Sequence, residues 1–544
     1  MYKKTLIVNR LWPIALIALL AFVLRAINLE QLFYFTYDEE IPAFVGRRLI
    51  LWHHLPLIGG ATPFGFHLGP YFYWFYSSLL FVGRLNPLMW GIAGAILSMA
   101  TTLLIYIVGK NFFNKRVGVT AAIFWAFSFL ANVYDRHLWA LSWGPITCLL
   151  VLYFLYKIIS AASLSSPRSF LSLPSPLSFP RKRESSTFYT ILLAVTLALS
   201  IHADPSNLIF IGLTVLALIS LKVDKLSKKL FTIFFFLLIS IAPLVFFDLR
   251  HDFANIKPVA NYLKASSSNS GINAKYVVAN ALLFPQTLTR LTYTFGDNEV
   301  NKQYSYCRNF IAEKFAAVPP LLVFGSSILL IAFMVISFRS RHDPAKKSVL
   351  LLAFCVLLYF VGILAYGTLL KGDIFEHYIA GLFPVLLLVL AFFVAKLPKL
   401  TWLFVIGLFI TLNLYKLSMA VNSQGLMVKR EAIQYTMQEV GDKPFSLDSL
   451  STCWKWNGYR YLFTVFGREP VKSYVDPNFA YLYGTTPVAE KHPATVVSFV
   501  VHDFAPETPQ FYNRYKQLKS HEISSKTFGS IEVIIMDNST GWFK

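Results

Sequence analysis

Charge is scarce in this chain: only 14% of its 544 residues are Asp, Glu, Lys or Arg, against 56% hydrophobic. An ordinary soluble domain carries roughly a quarter of its residues charged, so that class is excluded. Acids are scarcer than bases, 28 against 49, which leaves a formal net charge of +21. That excess does not signal nucleic-acid binding. The bases sit mainly in short loops between apolar runs, and no basic patch with interleaved aromatics occurs in the polar part. Cysteine is nearly absent: there are four, with no CxxC spacing and no metal-ligand pattern. Cys148 and Cys355 fall inside apolar runs and read as core residues. Cys307 and Cys453 fall in external segments, where nothing in the sequence supports a disulfide. A Gly-rich phosphate loop is missing, and so are internal repeats.

What the chain has in abundance is apolar runs long enough to cross a bilayer. Eleven are read: Leu11–Leu29, Asn86–Gly109, Val117–Tyr134, Leu138–Tyr156, Thr187–Ala203, Ser206–Leu221, Leu230–Asp248, Val318–Phe338, Ser348–Leu370, Tyr378–Lys396 and Thr401–Ala420. Lys3, Lys4 and Arg10 precede the first run and no small-residue cleavage site follows it, so it reads as an uncleaved helix starting in the cytoplasm. Every basic loop from Lys110–Arg116 to Lys396–Lys399 then falls on the cytoplasmic side. The first loop (30–67), the segment 249–317 and the C-terminus fall outside. His67–Gly83 is aromatic but short, and reads as a partly inserted arm; a further crossing there and nearby would make thirteen spans. Residues 160–186 are Ser/Pro-rich and read as a disordered cytoplasmic insertion. The fold class expected is mainly α: a polytopic domain over 1–420 in the cell membrane, then a small extracytoplasmic α/β domain over 421–544. In that domain Lys429–Val440 and Glu507–Leu518 read as helices, and Ala494–Phe504 and Ser530–Asp537 as strands.

The densest acid cluster, Asp38-Glu39-Glu40, lies just beyond the first run. Such acids either act on a substrate or cap a helix beginning near Ile41, since carboxylates favour helix N-termini. Further charges collect at outer helix ends on the same side: Asp135-Arg136-His137, His202 with Asp204, Asp248 to His251, and Glu376-His377-Tyr378. Ionisable residues at membrane depth usually face a partner or a wet cavity, so four such clusters predict a polar cavity at the outer leaflet. Arg136 and Arg250 offer planar forks of donors for a phosphate. Asp38 or Glu39 could take a proton from an acceptor group.

The Asp38-Glu39 pair after the first helix resembles the first external loop of C-fold (GT-C) glycosyltransferases. The nearer likeness is to the protein O-mannosyltransferase group (glycosyltransferase family 39) and its relative, the aminoarabinose transferase of lipid A. His67-Leu-Gly-Pro70 with the following aromatic run resembles a degenerate form of that group's His-Pro-Pro-Leu-Tyr segment. Asp135-Arg-His-Leu-Trp139 resembles its Ser-Arg segment, and Phe247–Phe253 and Glu376–Tyr378 are similar to later external helix ends. The resemblance covers about residues 8–420 in layout and only short strings in sequence. It implies a GT-C fold, a polyprenyl-phosphate sugar donor, an acceptor (lipid, glycan or protein) entering from outside, and inversion at the anomeric carbon. By the same likeness Asp38 is the base and Glu39 orients a substrate. Arg136, with Arg250, binds the donor phosphate, and His67, Tyr71, His202, His377 and Tyr378 line the substrate site. No cofactor is required; adjacent acids can bind a divalent cation, but none is predicted. The competing class is a transporter or flippase of polyprenyl-linked saccharides, for which repeats and midplane charges are expected.

Overall fold

The computed structural model describes residues 2–62, 65–163, 186–267, 274–300, 318–339, 347–370, 374–452, 457–484, 487–502 and 507–543. Cys307, Cys453 and most of the insertion read at 160–186 lie outside these residues. Long apolar runs become helices because lipid leaves backbone groups no partner but one another. In chain order the helical part comprises α1 (Tyr2–Ala26), α2 (Leu29–Leu32), α3 (Tyr37–Trp52), α4 (Tyr71–Val82), α5 (Leu88–Phe112), α6 (Lys115–Phe127), α7 (Phe129–Arg136), α8 (Gly144–Ser163), α9 (Ser186–Ser200), α10 (Leu208–Ser220), α11 (Leu226–Ser240), α12 (Ala242–Arg250), α13 (Ile256–Ser267), α14 (Ala274–Thr292), α15 (Pro320–Arg339), α16 (Lys347–Leu370), α17 (Phe383–Val394) and α18 (Lys399–Ser418). Among the described residues six helical stretches are long and apolar enough to span, and two bent pairs, α6 with α7 and α11 with α12, bring the number to eight. Shorter apolar helices at Trp12–Ala26, Ser186–Ser200 and Pro205–Ser220 occupy the remaining predicted positions. This is a multi-pass membrane protein.

The bend of 61° between α6 and α7 is built by side chains that replace the broken ladder. Ser128 donates to Leu291 O at 2.7 Å, Phe129 N donates to Asn413 Oδ1 at 2.9 Å, and Asn132 Nδ2 donates to Ser128 O at 2.8 Å. The bend turns Asp135-Arg136-His137 back onto the outer end of α1. Cys148 and Cys355 are buried and unbonded as expected, their sulfurs 3.7 Å apart.

The segment 249–317, read as an external loop, contains α13 and α14. Leu283, Phe284, Leu288 and Leu291 of α14 are buried in the main core. Asn280, Thr287, Thr289 and Arg290 of the same helix are buried too, and their polarity hides the helix from a hydropathy search.

After α18 come α19 (Leu426–Val440), β1 (Phe445–Ser451), α20 (Tyr459–Phe466), β2 (Lys472–Ser473), α21 (Asp476–Phe479), β3 (Thr495–Val501), α22 (Pro509–Lys519), β4 (Glu522–Phe528) and β5 (Ile531–Asp537). The sheet order is β2-β1-β3-β5-β4, with β1 parallel to β2 and β3, and β5 antiparallel to β3 and β4. Period-two alternation divides the faces. Val496, Val500, Ile534 and Met536 pack on Phe511 and Leu518 of α22. Leu447, Val497, Phe499, Val533 and Ile535 form one core with Phe33, Phe35, Phe44, Tyr76 and Trp90. One face of the sheet thus closes a core within the α/β unit, and the other shares its core with the segment from α2 to α5.

Candidate active site

Three neighbouring carboxylates in α3 take three different positions, because successive helical residues point about 100° apart. The helix starts at Tyr37, with Thr36 as N-cap. Glu39 closes a capping box: its Oε2 accepts from Thr36 N at 2.8 Å and from Thr36 Oγ1 at 3.2 Å. Its Oε1 is paired with His137 Nε2. Glu40 turns the other way and accepts from Tyr461 N at 2.9 Å. Asp38 is the acid that faces a cavity of about 570 Å³ lying between α3, α4, residues 59–62 and 66–69, the turns before α8, α10 and α17, and the facing parts of α10 and α16. The volume is within the range of small-molecule sites.

The rest of the wall is built by turns at the helix ends on the same side of the bundle as α3. His202 and Asp204 come from the turn between α9 and α10, His377 and Tyr378 from the 3-10 turn Glu376–Leu382 before α17, and Trp139 from the turn after α7. Glu376 points back into the bundle, where Arg290 pairs with it and Tyr134 Oη donates to it at 3.2 Å. That anchor leaves its two neighbours facing the cavity. His377 lies parallel to Phe375 (centroids 5.2 Å apart) and meets Trp139 edge-on at 5.0 Å, while Trp139 stacks on His137 at 4.5 Å. A chain of rings therefore links the Glu39–His137 pair to His377. Leu208, Ile209 and Ile363 make the remaining wall apolar.

Electrostatics separate the titratable groups. Asp38 is open to the cavity yet enclosed by protein on its far sides. Burial first, and the negative Glu39 second, push its carboxyl up to about 7, with His137 opposing. Burial holds the His202 imidazole down at about 4, so it is neutral at physiological pH, with one N–H donor and one acceptor. Asp204, also raised by burial, accepts from Ser206 N at 2.8 Å and begins the turn into α10.

Of the residues read from sequence, Asp38, His202, His377 and Tyr378 line the one cavity. Tyr71 stands one layer behind, its ring edge-on to His202 at 4.7 Å. Three assignments are corrected. Arg136 does not reach the cavity: it is 1% exposed, and its guanidinium donates to the carbonyls of Leu24 (2.6 Å), Arg25 (3.1 Å) and Ile27 (3.1 Å) at the end of α1. A cation there satisfies carbonyls that the helix leaves unpaired. Arg250 is exposed at the end of α12, also away from the cavity. His67 lies in an extended hairpin arm whose neighbours Phe66 and Leu68 face the cavity, while its Nδ1 lies 3.3 Å from Gly59 O. Asp204, Trp139 and His137 are site residues the sequence reading left without a role. His137 and Asp204 stood in clusters already noted, but nothing in one-dimensional order tells which member of a cluster turns inward. The capping acid is Glu39, and the Thr36-x-x-Glu39 box is legible once the helix is started at Tyr37 rather than near Ile41. Among the described residues the lining holds two imidazoles and no Lys or Arg, and no group of three His, Cys, Asp or Glu could hold a metal ion.

Gly69 explains the departure at His67-Leu-Gly-Pro70. A Cβ at position 69 would lie 1.5 Å from His202 Nδ1. Gly69→Ala is therefore expected to destabilise by about 1–3 kcal/mol through overpacking, and the cost should vanish in a His202→Ala background. A thermal-melt double-mutant cycle reads this coupling; additive losses would mean that residue 69 does not set the imidazole.

No protein-family profile and no curated protein sequence matches the chain. Solved structures do. The chain is similar to ArnT from Cupriavidus metallidurans bound to undecaprenyl phosphate, with 11% identity, TM-score 0.56, and coverage of 96% of this chain and 98% of that one. The apo state of the same protein gives 11% identity and TM-score 0.56 over 98% of each chain. The apo oligosaccharyltransferase of Archaeoglobus fulgidus reaches TM-score 0.49 at 13% identity, over 90% of this chain and 69% of that one. The chain has the GT-C fold, as the acid pair and helix layout led one to expect.

Proposed function

We propose that this protein is a membrane glycosyltransferase that moves a sugar from a polyprenyl-phosphate donor to an acceptor on the extracytoplasmic face, inverting the anomeric centre, with Asp38 as general base. The observation that carries the reading is the placement of Asp38: one carboxylate of an acid trio, raised to about 7, on the wall of a cavity that it shares with His202, Asp204, His377 and Tyr378. A base titrating near the working pH combines a large deprotonated fraction with proton affinity. The acceptor's O–H or N–H lies against Asp38, which takes the proton as the acceptor atom bonds to the anomeric carbon. The anomeric C–O bond to phosphate breaks on the opposite face, and the lipid phosphate leaves with the electron pair. His202, His377 and Tyr378 can donate hydrogen bonds to that phosphate, a task moved here from Arg136 and Arg250 because those two do not reach the cavity. Undecaprenyl phosphate in the similar ArnT structure supports a lipid-phosphate donor.

Purified protein in lipid nanodiscs should move label from an undecaprenyl-phosphate sugar, hexose or pentose, to a cell-envelope acceptor extract. Label that stays on the lipid across the whole panel sinks the reading. The sidedness has its own test. Cysteines placed at exposed Lys443 and at exposed Lys225 should label differently in intact cells, the first with an impermeant maleimide and the second only after lysis. Equal labelling would overturn the orientation.

A further inference from the structure

The acid loop is held from outside the membrane part, by a chain segment some four hundred residues further on. Asn422 Nδ2 donates to Leu32 O at 3.3 Å and Leu426 N donates to Phe33 O at 3.2 Å. Lys429, 0% exposed, donates from Nζ to Phe35 O at 2.6 Å and to Asn457 O at 2.7 Å. Tyr461 N donates to the Glu40 carboxylate at 2.9 Å. These four anchors run in order along residues 32 to 40, and Asp38 sits between the last two. Gly458 is pressed against the same strand of chain: at φ +77°, a Cβ there would lie 2.6 Å from the Phe35 ring.

A buried ammonium is costly unless its surroundings answer it. Lys429 is answered by two carbonyls, by the Tyr459 ring at 5.2 Å, and by the field of Glu39 and Glu40. A Lys buried in the first turn of a helix, where a cation opposes the helix dipole, does nothing for α19 itself. It ties the acid loop, through Phe35 O, to the start of α20, through Asn457 O and the Tyr459 ring.

We propose that the C-terminal α/β unit is the positioning device for Asp38, with Lys429 as its principal residue, so that the catalytic site is complete only when this unit is docked. Lys429 is a positioning residue and touches no substrate. The proposal rests on Asp38 being the base argued above, and its test separates the two.

Full-length Lys429→Met in nanodiscs is compared with wild type by hydrogen exchange and by consumption of whichever labelled undecaprenyl-phosphate sugar the wild type uses. Exchange of the peptide spanning 34–40 should rise about tenfold while β3 and β5 stay protected. Turnover should fall about 10²-fold, as misplacement of a reacting group by about 1 Å does, with donor KM within about twofold. Lys429→Arg, which returns a cation to the same carbonyls, should recover most of both. If β3 and β5 also lose protection in the Met variant, Lys429→Gln, which keeps a donor without the charge, takes its place. Unchanged exchange at 34–40, or raised exchange with full turnover, overturns the proposal. A wild type that consumes no donor sinks the transferase reading instead, and the exchange result still decides the clamp.

Discussion

Asp38→Asn is expected to lower turnover by about 10²-fold or more while leaving the protein no less stable above pH 7. The two halves of this expectation have separate causes. Asn keeps the size of the side chain but cannot take the acceptor's proton. The carboxyl it replaces is raised to about 7 by burial and by Glu39, above the ordinary Asp value near 4. A carboxyl raised on folding favours the folded state fully below about 4, and that contribution is lost as pH rises through about 7. Wild type should therefore melt lower at pH 8 than at pH 5 on account of this group, and the Asn variant should lack that part of the fall. The wild-type rate should climb with pH around the same value, as the base is uncovered. Melting curves at pH 5 and 8 with single-turnover rates decide it. A variant that turns over normally and melts earlier at pH 8 would make Asp38 a helix residue and nothing more.

Arg136→Ala is expected to act on the fold, by about 2–5 kcal/mol, since a buried carbonyl left without its donor costs about 1–3 kcal/mol. Three carbonyls at the end of α1 lose their donor at once. Arg136→Lys should recover only part of the loss, because one ammonium cannot reproduce a planar fork. Arg250→Ala, on an exposed side chain, should fall within about 0.5 kcal/mol of wild type. Denaturant titration in mild detergent measures all three. If Arg136→Ala keeps wild-type stability and changes only donor KM, the guanidinium serves the donor phosphate, as the family resemblance implies, and its carbonyl contacts are incidental.

These two arginines show where sequence reading stops. The apolar runs are legible because a lipid-crossing helix must announce itself by composition, and each of the eleven predicted positions holds a helix. Asp38 is legible because an acid trio just past a first helix has few bland explanations. Arg136 is not: a guanidinium fits phosphate oxygens and helix-end carbonyls equally well, and only the 61° bend before α7 decides which it meets. Glu39 and Glu40 are adjacent in sequence but serve a helix cap and a distant sheet unit. The partner of Glu40 is a backbone N–H at Tyr461, which no residue pattern marks. Helix α14 escaped for the opposite reason, because its buried polar residues diluted the apolar signal on which the reading relied.

The core shared by Phe33, Phe35 and Phe44 with Val497, Phe499 and Ile535 sets an order of events during synthesis. The chain emerges from its N-terminus, so the acid loop is made early and waits, its aromatic side chains uncovered, while the whole bundle is inserted. The Glu40–Tyr461 contact closes across 421 residues, a separation at which loop closure is slow and nothing local holds the ends together. A ribosome that stalls before the last strands leaves a bundle in the membrane with an exposed aromatic patch and an unformed site. Such a product offers quality-control proteases a target. The anchors of the acid loop at Asn422, Lys429 and Tyr461 close only once the bundle before them has been made.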